Sequence, residues 1–399
     1  MDNKQYTFID LFAGCGGLSE GFYQEGYKAL LHLEIDKWAC ETLRERMRYY
    51  GYSETDISNA VLCHDITDDN ILSLIEQRIG DNVDIIIGGP PCQAFSSVGR
   101  AQDPNSMNDD PRNYLFESYV KILNYYKPKL FIFENVKGLL TARPKGINIF
   151  NKIISEMSTY YDVCSNKKTI LLDAANYGVP QHRERVILVG VRKDLGIASC
   201  DVYKRFVQTN GENDGLKPFL TVRDAISDLP ALQPGEGDDE VAFIPTEMSD
   251  YVHTIRKPED NKLYNHVARK HNDLDRERYR ILAENDWQLK DLNKVRPDLV
   301  HHDPKHFANR YTVQAYDRPG TTVVAHLYKD GNLFIHPDPE QARTFTPREA
   351  ARVQSFPDNF RFMGSRTEQY KQIGNAVPPA LSSVFAKAIR TVLDEINEE

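Results

Sequence analysis

The strongest constraint on this chain is an alternation, over its first 190 residues, of short apolar runs with amphipathic segments. The runs "YTFIDLF" (6–12), "KALLHLEID" (28–36), "VDIIIGG" (83–89), "PKLFIFENV" (128–136) and "ERVILVGV" (184–191) have the length and composition of buried strands. Between them lie helical patterns, clearest where Leu115, Phe116, Tyr119, Val120, Leu123 and Tyr126 recur at helical spacing. Strands alternating with helices are the signature of βαβ units, so the fold class is α/β, with a doubly wound, mostly parallel sheet.

The pattern breaks down from about residue 192. "QPGEGDDE" (233–240) and "RKPEDNK" (256–262) read as loops, and "DLDRERYRILAEND" (273–286) is the one clear helix before residue 343. Order returns in "TPREAARVQSF" (346–356), where Thr346 and Glu349 have the spacing of an N-cap and its capping-box partner. Leu381, Val384, Phe385, Ala388, Ile389, Val392, Leu393 and Ile396 then form an apolar helical stripe that must bury itself, most simply against the first domain. The expected organisation is an α/β domain over 1–191, a smaller irregular domain over 192–342, a connecting segment over 343–370 and a return to the first domain over 371–399.

Composition excludes several classes. There is no run of about 18 apolar residues, so no membrane span is expected. "MDNKQYTFIDLF" has no basic region followed by an apolar core, so no secretory leader is expected. Six cysteines (Cys15, Cys40, Cys63, Cys92, Cys164, Cys200) occur without a C-x-x-C pair, which argues against a metal site and a disulfide framework and suits a reducing cytoplasm. The net charge of −9 does not advertise a nucleic-acid binder, but its distribution is uneven. Residues 191–255 hold 6 Lys/Arg against 12 Asp/Glu, whereas 256–310 hold 13 against 10 together with five of the eleven histidines.

Four motifs carry chemistry. "DLFAGCGGLSEGF" (10–22) is a small-residue turn from strand into helix, where a ligand can approach the backbone, although its spacing departs from G-x-G-x-x-G. Tight helix packing is the bland alternative; Glu34 at the end of the second strand and Asp65 in "HDIT" (64–67) supply acceptors for ribose and for an adenine amino group. In "GGPPCQAFSSVGR" (88–100), Gly and Pro place Cys92 at the carboxyl edge of the sheet, outside any apolar run, which favours a reactive thiol over an inert core one. A long polar loop follows. "FENVKGLL" (133–140) puts Glu134 directly after apolar strand residues, where a carboxyl is either ion-paired or used as an acid. "QHRERV" (181–186) holds Gln181, Arg183 and Arg185; alternate strand residues point the same way, so both arginines can face one carboxylate, phosphate or base carbonyl.

Taken in order, these motifs resemble the C5-cytosine-specific DNA methyltransferases of bacterial restriction-modification systems. The resemblance runs through "DLFAGCGGLSEGF", "GGPPCQAFS", "ENV", "QxRxR", "TPREAARVQSFPDNF" and "QIGNAVPP" (372–379) and covers 7–191 and about 343–380. It implies the Rossmann-like fold of methyltransferases that use S-adenosyl-L-methionine, with 192–342 as the target-recognition domain. It also implies methyl transfer to C5 of a cytosine flipped out of double-stranded DNA. Cys92 would attack C6, Glu134 would hold and protonate the N3 edge, Asn135 would support the Pro-Cys loop, Arg185 would hold O2, and Arg183 would join that cluster. Phe12, Ala13, Gly14, Gly16, Gly17 and Pro91 would surround the methionine end of the cofactor. Glu34 would take the ribose, Ile35, Asp65 and Ile66 the adenine, and Asn375 and Val377 the opposite wall.

For DNA, the resemblance implies contacts from Gln93, Ser96, Ser97 and Arg100 in the loop after Cys92, and from Thr321 and Thr322 in "RPGTTVVAH" (318–326). In the basic stretch it points to Arg269 and Lys270, with Arg276, Arg278 and Arg280 beside them. No metal is implied. A cognate restriction endonuclease is the expected functional partner, and the expected location is the bacterial cytoplasm, at the nucleoid, with no membrane association. A tRNA cytosine-5 methyltransferase of the same fold is the alternative; the Cys-Phe-Thr tripeptide of such enzymes does not occur here.

Overall fold

The computed structural model describes residues 5–80, 82–91, 114–245, 247–300 and 311–398. The chain divides into two compact units. The first comprises Met1–Tyr177, Glu184–Gln208 and Pro379–Glu399; the second comprises Gly178–Arg183 and Thr209–Pro378.

In the first unit the apolar runs become strands β1 (Thr7–Leu11), β2 (Lys28–Glu34), β3 (Val61–Cys63), β4 (Ile85–Gly88), β5 (Leu130–Val136), β6 (Tyr161–Val163), β7 (Leu171–Asp173) and β8 (Glu184–Arg192). Their order is β3-β2-β1-β4-β5-β8-β6, with β7 also paired to β8. The pairings from β3 to β5 are parallel, while β8 runs antiparallel to β5, β6 and β7. A sheet covered on both faces buries its central strands, and Ile85–Ile87 and Leu130–Phe133 are fully buried. The crossovers include α1 (Gly17–Gln24), α2 (Lys37–Tyr49), α3 (Glu54–Ala60), α4 (Ile71–Ile79), α5 (Leu115–Tyr126) and α6 (Ile149–Met157). The expected stripe on α5 is the buried one, with Phe116, Tyr119, Val120, Leu123 and Tyr126 inside.

The C-terminal stripe forms the helix Pro379–Glu398, which lies against α1. Ser382 donates its hydroxyl proton to the Leu18 carbonyl, and a Cβ on Gly21 would come within 2.3 Å of the Ser383 nitrogen. One expectation fails in this unit: Cys164 and Cys200 are joined by a disulfide across 36 residues. Sequence spacing carries no signal for a bridge between a strand end and a helix distant along the chain.

The second unit holds an antiparallel pair, β9 (Gly237–Ala242) and β10 (Lys262–Val267), and a cluster of Tyr279, Leu282, Leu289, Leu292, Leu299, Tyr311 and Ile335. The helix foreseen at 273–286 spans Asp273–Asn285, and Thr346 and Glu349 form the expected capping box. Around the helix Pro347–Val353 lies a buried charge network. Arg343 is bidentate to Glu349 at 2.7 and 2.8 Å, Arg352 holds Asp358 at 2.7 and 2.8 Å and also Asp228, and Arg256 meets Asp358 at 2.8 Å. Burial pushes the Asp358 carboxyl up, but Arg352, Arg348 and Arg256 outweigh it and hold it down to about 2. Its stabilising contribution is therefore complete above the ordinary carboxylate value of 3.8 and is lost as pH falls towards 2. Arg352→Met, which removes the guanidinium shared by Asp228 and Asp358 and leaves Asp358 with Arg256 as its close partner, is expected to cost about 3–5 kcal/mol in denaturant unfolding at pH 7. The deficit should shrink as the buffer is taken from pH 4 to pH 2.

Candidate active site

The turn after β1 is built to leave its backbone open. Phe12 adopts φ 58°, Gly14 φ 54° and Gly16 φ 91°, and Gly16, which offers no side-chain cap, is the N-cap of α1. A Cβ on Gly14 would meet no atom within 4 Å among the described residues, so the turn faces open space. Glu34 at the end of β2 closes this turn: it accepts from Gly14 N at 2.7 Å, from Ile35 N at 2.9 Å and from Asp36 N at 2.8 Å. Burial raises the Glu34 carboxyl above its ordinary value, and those three N–H groups pull against the rise. Asp36 caps α2 through Trp38 N and Ala39 N, which fixes the backbone behind Glu34. Ala13 is buried, Gly17 opens α1, and Ile35 is 67% exposed beside them. Ile66 is buried, and Asp65 accepts from the Thr67 amide and hydroxyl at 2.9 and 2.8 Å.

At the carboxyl ends of β4 and β5, Glu134 and Arg185 are paired, Nε to Oε1, at 2.9 Å. The register explains the meeting: Arg185 sits opposite Val136, one diagonal step from Glu134. Both side chains keep about one-eighth of their surface exposed. Gly89 makes room for the carboxylate, since a Cβ there would lie 2.7 Å from Glu134 Oε2. Asn135 is buried and donates to the Pro90 carbonyl at 3.3 Å, anchoring the segment that leads through exposed Pro91 towards Cys92. Cys92, Gln93, Ser96, Ser97 and Arg100 lie outside the described residues.

Arg183, two positions from Arg185, belongs to the second unit. It is 1% exposed and donates to three carbonyls, those of Val323 at 2.7 Å, Gly374 at 3.1 Å and Ala376 at 2.8 Å. Gln181 donates to Val353 O and Gln354 Oε1 and accepts from Val323 N, while Gln354 donates to Ile373 O at 2.7 Å. These three side chains hold together the segments that carry Thr321, Thr322, Asn375 and Val377. Asn375 is exposed at the end of its helix, and Val377 is buried. Thr321 exchanges hydrogen bonds with Gln314, and Thr322 donates to His182 O at 2.7 Å.

Among the basic residues, Arg269 donates to the carbonyls of Leu327, Tyr328 and Lys329, and Lys270 is exposed. Arg276 is exposed, Arg278 is buried against Leu299 O and Asp275, and Arg280 pairs with Glu284 on the same helix. Reasoning from the sequence missed Gly89 as the space for Glu134, and Gln354 and Gln314 as braces; "GGPP" was legible only as a stiff turn, and a buried glutamine has no sequence signature. No group of three or more potential metal ligands is found among the described residues, and none of their helices is long and apolar enough to cross a membrane. Arg183→Lys keeps the charge but loses the planar fork. It is expected to lower stability by about 1.5–3 kcal/mol in chemical denaturation.

Residues 6–391 match the family model for C-5 cytosine-specific DNA methylases. The chain is 35% identical to the type II methyltransferase M.Bpa9945I of Bacillus paralicheniformis, over 97% of this chain and 99% of that one. It is equally identical, at 35%, to the type II methyltransferase M.DdeI of Desulfomicrobium norvegicum, over 98% and 90%. A prophage-encoded protein of E. coli described as a DNA modification methyltransferase superposes with a TM-score of 0.70 at 25% identity, covering 98% of this chain and all of that one. The Dnmt2 methyltransferase of S. pombe, at TM-score 0.55 and 14% identity over 98% and 100% of the two chains, shares the fold. With its motifs in family order and near-complete alignments to such enzymes, the chain belongs to the C-5 cytosine-specific DNA methylases.

Proposed function

We propose that this enzyme transfers a methyl group from S-adenosylmethionine to C5 of a flipped cytosine in double-stranded DNA, through a covalent adduct of Cys92 at C6. The Glu134–Arg185 pair carries the reading. A carboxyl and a guanidinium side by side at the sheet edge, beside the segment leading to Cys92, match the N3 and O2 edge of a cytosine.

The turn at 12–17, Glu34 and the open space over Gly14 suit the donor. Phe12, Ala13, Gly14, Gly16, Gly17 and Pro91 take its methionine end, Glu34 its ribose, and Ile35, Asp65 and Ile66 its adenine. When bound, the cofactor supplies an electrophilic methyl group. C5 of cytosine is a poor nucleophile, so the ring must first be activated. The Cys92 thiolate bonds to C6 while Glu134 gives a proton to N3, leaving an electron pair at C5 for the methyl. Water takes the C5 proton, its bonding electrons re-form the C5–C6 double bond as the C6–sulfur bond breaks to restore the thiolate, and N3 returns its proton to Glu134. Arg185 holds O2 and orients Glu134, Asn135 holds the Pro90 backbone, and Arg183 positions the segments of its own unit. Gln93, Ser96, Ser97 and Arg100 contact the DNA around the extruded nucleotide. Lys270, Thr321 and Thr322 contact the DNA backbone, whereas Arg269 holds the 327–329 turn. Residues 192–342 carry target recognition, and the segments on either side of them carry catalysis. The enzyme protects host DNA in the bacterial cytoplasm from a cognate restriction endonuclease, as the type II relatives suggest.

Methylation-sensitive sequencing of DNA from cells expressing the chain is expected to show 5-methylcytosine at one new sequence; methylated tRNA with unchanged DNA would overturn the reading. Cys92→Ser should abolish transfer while leaving the thermal melt and donor binding unchanged, and retained turnover would remove the nucleophile. Glu134→Gln should lower kcat by about 10²–10⁴ with donor affinity unchanged, measured by tritium transfer to DNA.

A further inference from the structure

One buried chain of polar groups in the first unit has no part in the chemistry above. Asp10 of β1, Ser19 and Tyr23 of α1 and His32 of β2 are 1%, 0%, 6% and 0% exposed. Ser19 donates its hydroxyl proton to Asp10 Oδ2. His32 Nδ1 lies 3.2 Å from Ser19 Oγ, and its Nε2 lies 2.7 Å from the Tyr23 hydroxyl. Burial holds His32 down to about 3, so the ring is neutral and carries a single N–H. With Tyr23 donating to Nε2, that N–H points at Ser19, and every proton in the chain is directed towards Asp10. Burial, opposed by the Ser19 hydrogen bond and reinforced by Glu34, pushes the Asp10 carboxyl up to about 8, so it is protonated at neutral pH.

A relay of this kind has a cost that apolar residues of the same shape would avoid. What it achieves is registration. Asp10 precedes Phe12 by two residues, Ser19 follows Gly17 by two, and His32 precedes Glu34 by two on the same strand face. The relay therefore joins the three elements that carry the turn, the helix start and the ribose carboxylate. We propose that Asp10, Ser19 and His32 are positioning residues for the methyl donor, locking the first turn of α1 and the Glu34 end of β2 to β1. This rests on the donor reading given above.

The test compares the intact enzyme with Ser19→Ala, Asp10→Leu and Asp10→Asn, measuring S-adenosylmethionine binding by calorimetry and single-turnover and steady-state transfer to DNA. Ser19→Ala and Asp10→Leu are expected to raise both Kd and KM for the donor about five- to tenfold, with kcat at saturating donor within about twofold of the parent. Asp10→Asn, which keeps an uncharged acceptor for Ser19, should restore donor affinity to within about twofold. A purely structural role would instead lower the active fraction and the melting temperature and leave Kd of the folded fraction alone; that result overturns the proposal. Ser19→Ala removes one oxygen, so it serves if Asp10→Leu fails to fold. Absence of donor binding by the unmodified enzyme would overturn the donor reading itself, whereas parent-like binding by Ser19→Ala overturns only the positioning role.

Discussion

A guanidinium can be buried only when acceptors surround it, and the second unit is built around that requirement. Arg183, Arg278, Arg343, Arg348 and Arg352 are among the largest fully buried side chains of the chain. Each is met by carbonyls, carboxylates or both, so each dictates where several backbone segments lie. Arg348 alone gathers Tyr264, Pro357 and Phe360 through their carbonyls. A unit whose described residues form short helices and one two-stranded pair obtains from these forks the definition that a regular sheet would otherwise give.

The first unit relies on regular elements instead. Its sheet places three things at the carboxyl ends of neighbouring strands: the open turn after β1, the carboxylate of Glu34 and the Glu134–Arg185 pair. Because β8 runs antiparallel to β5, Arg185 enters from the start of its strand and Glu134 from near the end of its own. That crossing brings opposite charges together while keeping about one-eighth of each side chain exposed.

Much of this was legible in the sequence, for identifiable reasons. Buried strands announce themselves as unbroken Ile, Leu and Phe runs, and the stripe on α5 and the Thr346–Glu349 cap follow from fixed helical spacings. What was not legible depends on contacts distant along the chain. The helix Pro347–Val353 carries Arg348, Glu349 and Arg352, yet every one of its residues is buried. Arg183 and Arg185 look equivalent in "QHRER", and only the structure separates a fork committed to three carbonyls from one paired with Glu134. The strands β9 and β10 contain Asp, Glu, Lys, Asn and His, so their pairing leaves no apolar signature. The Cys164–Cys200 bridge is a further case.

The placement of Gln181 and Arg183 bears on how such enzymes can be recombined. Both belong to the second unit although almost all of that unit lies in Thr209–Pro378. A segment excised or exchanged at 209 and 378 would leave behind the donors for the carbonyls of Val323, Val353, Gly374 and Ala376. The transplanted piece would then have to find a glutamine and an arginine already waiting in the host. Exchange of the second unit's main segment therefore depends on the six residues Gly178–Arg183 upstream of it.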